Sequence, residues 1–203
     1  MENFIKIIKA YKFTFIKIIL YEFYYIIIGY KGNSFNFRNN NKKTDNIPCP
    51  YFFLNKIYKF FEKEKINSLV DLGCGSGRSI FFFNRKYKIK YYGIEYYKET
   101  YTKCESLFRS NENIEIINDD FMNFNFLKFN SDCYFINDPL KNLKDFSILI
   151  NKIVDNYSNI KKVIFFIFVN IDEEKINKVN KLYKIETMII NKRGYFIYSN
   201  KNV

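Results

Sequence analysis

A run of alternating glycines preceded by an acid is the segment of this sequence best suited to chemistry. It reads Val70-Asp71-Leu72-Gly73-Cys74-Gly75-Ser76-Gly77-Arg78 and includes a short apolar stretch. The glycines allow a sharp turn and a close approach of the backbone to a ligand, which any Cβ would block. A dinucleotide site needs the spacing G-x-G-x-x-G to bring a pyrophosphate onto a helix N-terminus, and this run has G-x-G-x-G instead. Asp71 would repel a pyrophosphate, so the run favours a nucleotide-like ligand with a cationic amino group.

Two more acids follow this run at intervals that suit successive strand–helix units. Glu95 ends the segment Tyr92-Gly93-Ile94-Glu95, where a carboxylate can accept hydrogen bonds from both hydroxyls of a ribose. Asp120 and Phe121 follow the next apolar stretch, where the acid can accept from an adenine amine while the ring covers the base. A single acid at a strand end is common, but three in order predict a site for an adenosine-like ligand.

The elements that position these acids alternate between strand and helix patterns. We expect strands at 67–72, 90–95, 114–118, 133–137, 162–169, 183–190 and 194–199, and helices at 51–64, 78–86, 97–109, 143–157 and 172–182. This order predicts an α/β fold with a mostly parallel, doubly wound sheet and helices on both faces. Only a short Asn-Lys-Arg-Gly connection joins the last two strands, so they are expected to form a C-terminal antiparallel hairpin.

Taken together, these segments resemble the motifs of the class I S-adenosylmethionine-dependent methyltransferases. VDLGCGSGR is similar to the first motif of that family, YGIE to the second, NIEIINDDF to the third and DCYFINDPL to the fourth. The resemblance covers approximately residues 48–200 and implies a three-layer Rossmann-like fold that binds S-adenosyl-L-methionine. The cofactor-binding positions that it implies are Asp71, Gly73, Gly75, Gly77, Glu95, Asp120 and Phe121. Arg78 is either a residue on the helix surface or a neighbour of the cofactor's carboxylate.

Two residues are expected to act on the acceptor. Methyl transfer depends mainly on alignment of the reacting groups, so a strong base is not essential. Because the chain has no histidine, proton removal would fall to a carboxylate, lysine, tyrosine or cysteine. Asp138 follows the fourth strand and is the expected catalytic base, against the alternative that Asp138-Pro139 forms only a turn. Tyr51 is the second candidate. It ends Pro48-Cys49-Pro50-Tyr51, which is similar to a segment found in small bacterial members of the family whose substrate is unassigned.

The acceptor itself is predicted only as a class. Leu140 stands where methyltransferases of base amines generally carry an aromatic side chain that stacks on the base. The resemblance therefore favours a small molecule, a lipid or a saccharide as acceptor. A methyltransferase of protein or nucleic acid and a non-catalytic cofactor-binding protein of the same fold remain the alternatives.

Residues 1–30 are expected to form an amphipathic helical extension, residues 31–46 a polar linker, and residues 47–203 the methyltransferase domain. Between residues 4 and 19, apolar side chains share one helical face, while Lys6, Lys9, Lys12 and Lys17 gather on the other. Such a helix either packs its apolar face on the domain or makes peripheral contact with an anionic membrane. The lysines and Glu22 interrupt any uniformly apolar stretch long enough to span a bilayer.

The composition of the chain limits the partners, metal ions and cellular compartment that can be expected. The formal charge of +12 comes mostly from lysines in a chain rich in Asn, Ile, Phe and Tyr, so a nucleic-acid partner is possible but not favoured. The four cysteines are scattered and have no histidine to complete a metal cluster, so no metal is expected. Scattered cysteines without a cleavable leader pattern predict reduced thiols and a cytoplasmic protein.

Overall fold

The computed structural model describes residues 15–29, 48–140, 142–158, 160, 162–179, 181–190 and 193–203. A seven-stranded sheet with the order β3-β2-β1-β4-β5-β7-β6 lies at its centre. The strands are β1 (Ser68–Leu72), β2 (Lys90–Ile94), β3 (Ile114–Ile117), β4 (Cys133–Asn137), β5 (Phe165–Val169), β6 (Tyr183–Ile190) and β7 (Arg193–Ser199). The helices are α1 (Phe15–Ile27), α2 (Tyr51–Glu64), α3 (Arg78–Lys86), α4 (Lys98–Phe108), α5 (Leu143–Ser158) and α6 (Glu173–Asn177), with a 3-10 turn at Phe126–Lys128.

The pairing of the strands confirms the predicted fold class. β1 to β5 are joined by parallel pairings, whereas β7 pairs antiparallel with both β5 and β6. The chain runs outward from β1 to β3 and then returns to place β4 on the other side of β1. Ligands of open α/β sheets bind at such a reversal, beyond the carboxyl ends of the two strands that flank it. The segments after β1 and β4 therefore border the expected crevice.

Each face of the sheet has its own core because successive side chains of a strand point to opposite faces. In β5, Phe165 and Ile167 join the cluster that includes residues of α1, α2 and α3, while Phe166 and Phe168 join the cluster beneath α5. All five residues of β5 are buried. Burial on both faces explains why this strand is a continuous apolar run in the sequence, and it gives the domain three layers.

Most elements lie within two residues of their predicted bounds, and two are shorter than expected. β5 begins at Phe165 rather than at residue 162, because the Ile164 N–H donates to Asn200 Oδ1 at 2.9 Å instead of to a strand. α6 ends at Asn177, well before residue 182. Asparagine competes with the backbone for hydrogen bonds and favours helix ends, which the apolar periodicity alone did not reveal.

The N-terminal helix packs on the domain through one side. Residues 1–14 of the predicted extension and the predicted linker at 31–46 lie outside the described residues. Ile18 and Tyr25 of α1 are buried, with 1 % and 4 % of their surface exposed, and the Tyr25 hydroxyl donates to Asn55 Oδ1 of α2 at 3.0 Å. α1 ends at Ile27, within the helical extension predicted for residues 1–30 and beyond the amphipathic pattern of residues 4–19. Of the two predicted alternatives, the described part of the helix therefore packs an apolar side on the domain.

The described residues contain neither a membrane-spanning helix nor a cluster of metal ligands. No helix among them is both long and apolar enough to cross a membrane. The same residues contain no group of side chains arranged to hold a metal ion.

Candidate active site

The loop between β1 and α3 adopts a backbone conformation that requires its glycines. Gly73, Gly75 and Gly77 have φ angles of 78°, 56° and 80°, in the left-handed region that other residues rarely adopt. Space is also restricted: a Cβ on Gly77 would lie 2.5 Å from Phe108 Cε2, and one on Gly73 would lie 3.2 Å from Pro139 Cβ. The loop is therefore fixed both by its own backbone and by the residues packed around it.

Asp71 lies beneath this loop with 2 % of its surface exposed. The Ser79 hydroxyl at the start of α3 donates a short hydrogen bond to Asp71 Oδ2. Among the described residues, Asp71 has no cationic partner. Burial is the main cause that raises the pKa of Asp71 to about 7; the hydrogen bond from Ser79 opposes this rise, and the nearby Glu95 carboxylate adds to it. A buried acid without a counter-ion is costly, so this position is suited to a ligand that brings a positive charge.

Glu95 holds the loop from the neighbouring strand. Its two carboxylate oxygens accept hydrogen bonds from Gly75 N at 3.0 Å and from Tyr97 N at 2.8 Å. Burial raises the pKa of Glu95, while these backbone hydrogen bonds lower it. Asn118, after β3, donates to the carbonyl oxygens of Glu95 and Tyr96 and so joins the ends of β2 and β3. The predicted ribose-binding acid is thus also a structural support of the glycine loop.

The predicted adenine-binding pair follows β3 in a turn. Asp120 Oδ1 accepts from Met122 N at 2.9 Å, and the side chain of Asp120 is half-buried. Phe121 is 8 % exposed and packs in the cluster beneath α5. The structure places both residues at the carboxyl edge of the sheet, and their contact with a base stays a prediction.

Asp138 follows β4 on the other side of the crevice. Its φ is 41°, a left-handed conformation that asparagine and aspartate tolerate better than other side chains but that still costs energy. Lys175 of α6 donates to Asp138 Oδ1 at 3.1 Å and to the Leu140 carbonyl at 2.5 Å. The Asp138 side chain remains 42 % exposed. A turn and a solvent-accessible carboxylate are therefore both present, and either predicted role of Asp138 is compatible with this geometry.

Part of the chain that forms this site matches a known protein family. Residues 69–156 match a family model described as a methyltransferase domain. The matched segment runs from β1 into α5 and contains the glycine loop, all three predicted cofactor acids and Asp138. Over this segment the chain is similar to a methyltransferase domain.

Solved structures of methyltransferases share the fold of this chain. An RNA methyltransferase of Salinibacter ruber in complex with S-adenosyl-L-homocysteine has a TM-score of 0.58 at 15% identity, over 75% of this chain and 92% of that one. The N-methyltransferase NodS of Bradyrhizobium japonicum, with the same ligand, has a TM-score of 0.56 at 11% identity, over 72% and 86%. Magnesium protoporphyrin IX methyltransferase of Synechocystis has a TM-score of 0.55 at 12% identity, over 72% and 76%. No curated protein matches the sequence.

The N-terminal helix reaches the α/β domain directly beside its glycine loop. Arg78, the first residue after the loop, is 7 % exposed, so it is not a helix-surface residue. Its guanidinium donates to Glu22 of α1 at 2.5 Å and to the Cys49 carbonyl at 3.0 Å, and it lies 3.7 Å from the centre of the Tyr51 ring. The Tyr51 side chain is completely buried there. Contact between Tyr51 and an acceptor would require α1 to move, and the catalytic role of Tyr51 stays a prediction.

Three residues that complete the site were not singled out from the sequence. Ser79 binds Asp71, Lys175 binds Asp138, and Glu22 binds Arg78. Ser79 lies eight positions after Asp71, on the first turn of a predicted helix, so its proximity was available from the expected strand–turn–helix unit. Lys175 and Glu22 are 37 and 56 positions from their partners, and no local pattern connects them.

Proposed function

We propose that this protein transfers a methyl group from S-adenosyl-L-methionine to a small molecule, a lipid or a saccharide. The observation that carries the proposal is the left-handed glycine loop above a buried Asp71 that has no cationic partner among the described residues. The loop allows close approach of a ligand, and the acid suits the ligand's ammonium group. The chain's residues therefore fit the cofactor of the family.

Each predicted cofactor residue has a distinct role in this proposal. Asp71 pairs with the amino group of the amino acid moiety, and Asp120 and Phe121 bind the adenine. Glu95 binds the ribose: a carboxylate has about four acceptor positions, so two backbone amides leave capacity for hydroxyl groups. When bound, the cofactor supplies an electrophilic methyl group on a sulfonium centre. The protein's own task is to hold the acceptor in line and to exclude competing water.

The end of β4 is the proposed acceptor side. Asp138 is exposed enough to meet an acceptor, and Lys175 fixes its orientation through the 3.1 Å contact. The Asp138 carboxylate accepts a proton from the acceptor or orients the acceptor's hydroxyl or amine. Leu140 offers an aliphatic surface and cannot stack on a base as an aromatic ring does, which favours acceptors other than nucleobase amines.

Calorimetry with S-adenosyl-L-methionine, S-adenosyl-L-homocysteine and NAD tests the cofactor. We expect micromolar binding of the first two and none of NAD, because Asp71 and the loop spacing disfavour a pyrophosphate. Saturable binding of NAD alone would refute the proposal.

A pair of variants tests the site. Glu95→Gln is expected to weaken cofactor binding about ten- to a hundredfold, since it removes charge-assisted hydrogen bonds. Glu115→Gln, at an exposed position of β3, is the control and is expected to bind normally. Equal affinity in both variants would remove Glu95 from the site.

The acceptor class is tested with extracts and cofactor labelled in the methyl group. Mass spectrometry should find the label in a small molecule, lipid or saccharide. Label in protein or nucleic acid would establish the alternative acceptor, and cofactor binding without any transfer would establish a non-catalytic protein.

A further inference from the structure

The helix α1 is apolar on both of its sides, although only one side packs on the domain. Ile18 and Tyr25 face inward and are buried. The opposite side carries large side chains that are mostly in solvent: Ile16 58 %, Leu20 61 %, Phe23 55 %, Tyr24 58 % and Ile27 79 % exposed. Spacings of three, four and seven residues place these side chains in one continuous stripe along the helix. A contiguous apolar patch of this kind on a surface marks an interaction site.

Buried polar contacts hold α1 in this orientation. Glu22 lies on the inner side, where it accepts from Arg78 at 2.5 Å and from Tyr51 N at 2.8 Å. Rotation of the helix to bury its outer stripe would break the ion pair and leave Arg78 buried without its partner, at high cost. The stripe is therefore kept on the outside by the domain itself.

Basic side chains predominate around the stripe, although the exposed Glu62 of α2 lies near Lys86. Glu22 is the only acid between residues 15 and 29, and it points inward. Lys17 is exposed on α1, and the exposed Arg85 and Lys86 of α3 approach the end of α1, through the Gly29 carbonyl at 3.2 Å and the Tyr25 ring at 5.5 Å. In the sequence, Lys6, Lys9 and Lys12 precede the helix. An apolar stripe bordered by basic side chains complements an anionic lipid surface.

We propose that the outer stripe of α1 docks this protein on an anionic bilayer surface. The stripe enters the boundary between headgroups and acyl chains, while Lys17, Arg85 and Lys86 meet the lipid phosphates and carboxylates. Because the inner side of α1 stays on the domain, the helix lies flat on the membrane. This inference differs from a contact through the other helical face, on which Ile18 is buried against the domain. It is also independent of which acceptor the enzyme methylates.

Vesicle flotation of the full chain tests this surface. We expect the protein to float with vesicles of phosphatidylcholine and phosphatidylserine in a three-to-one ratio, less with phosphatidylcholine alone, and less at high salt. The double variant Leu20→Glu/Phe23→Glu is expected to bind at least tenfold more weakly. Lys17→Glu should lower binding to the anionic vesicles at least about fivefold, since each basic residue near a membrane surface contributes about 1 kcal/mol.

The matched control is Leu127→Glu/Ile148→Glu, which places two acids at side chains that are 45 % and 47 % exposed elsewhere. This control should float like the unchanged protein, and all variants should keep its melting temperature. Failure of the unchanged protein to float, or equal flotation of both double variants, would overturn the proposal. So would a mass measurement showing that the stripe joins two copies of the chain while vesicles are not bound.

Discussion

The carboxyl ends of β1 and β2 hold two acids with exposures of 2 % and 6 %, whereas the side chain of the acid after β4 is 42 % exposed. Asp71 and Glu95 are fixed by Ser79 and by backbone amides of the glycine loop. Asp138 is held by a single lysine from another element. One side of the crevice is thus defined by backbone geometry and buried charge, and the other by exposed side chains. The side formed by β1 and β2 suits the proposed cofactor, which is the same in every reaction cycle. The side after β4 leaves room for specificity toward the proposed acceptor.

The largest loss of stability is expected from a substitution that distorts the backbone of the glycine loop. Gly77→Ala introduces a Cβ at 2.5 Å from Phe108 at a φ of 80°, so we expect loss of cofactor binding. Steric overlap and left-handed strain together should lower the free energy of unfolding by about 4 kcal/mol. Gly29→Ala has a φ of 81° with nothing within 4 Å, and it should cost only about 1 kcal/mol. Urea titrations that gave equal losses for the two variants would contradict the role of packing at Gly77.

The second largest loss of stability is expected from breaking the ion pair between Glu22 and Arg78, beside the glycine loop. Glu22→Ala removes one partner of a nearly buried ion pair and should lower the free energy of unfolding by about 3 kcal/mol. The control Glu99→Ala breaks an exposed pair with Lys103 and should cost less than about 1 kcal/mol. If both variants unfolded at the same urea concentration, the contact of α1 with Arg78 would not stabilise the cofactor side.

On the acceptor side, activity is expected to change more than stability. Asp138→Asn should lower kcat about a hundredfold and leave the cofactor dissociation constant unchanged if Asp138 faces the acceptor as proposed. Asp155→Asn disrupts a comparable pair, with Lys181, on the distant α5 and should have normal kinetics. Full turnover by the Asp138 variant at every pH would assign the residue to the turn alone.

The last effect is a pH dependence that comes from the buried Asp71. Burial raises the pKa of Asp71 from 3.8 to about 7, so the unfolded chain releases this proton first as pH rises. Asp71 therefore stabilises the fold at low pH, and this contribution is lost as pH rises toward about 7. Cofactor affinity should change in the opposite direction, because the ionised acid binds the ammonium group. Unfolding and calorimetry from pH 5 to 8, with Asp71→Asn as reference, check both signs; parallel curves for the two proteins would exclude this coupling.

The sequence determined the sheet, the hairpin and the place of the predicted cofactor residues in the fold, because their signals are local. Gly73, Gly75 and Gly77 need a left-handed backbone wherever the loop lies, and a strand such as β5 must be apolar throughout if it is buried on both faces. Tertiary structure alone decided that Glu22 pairs with Arg78 and that Lys175 pairs with Asp138. These partners come from elements far apart in the chain, and only the packing of helices onto the sheet brings them together. For the same reason, the burial of Tyr51 and the exposed outer stripe of α1 could not be inferred from periodicity, since a helix that is apolar all round does not reveal which side meets the domain.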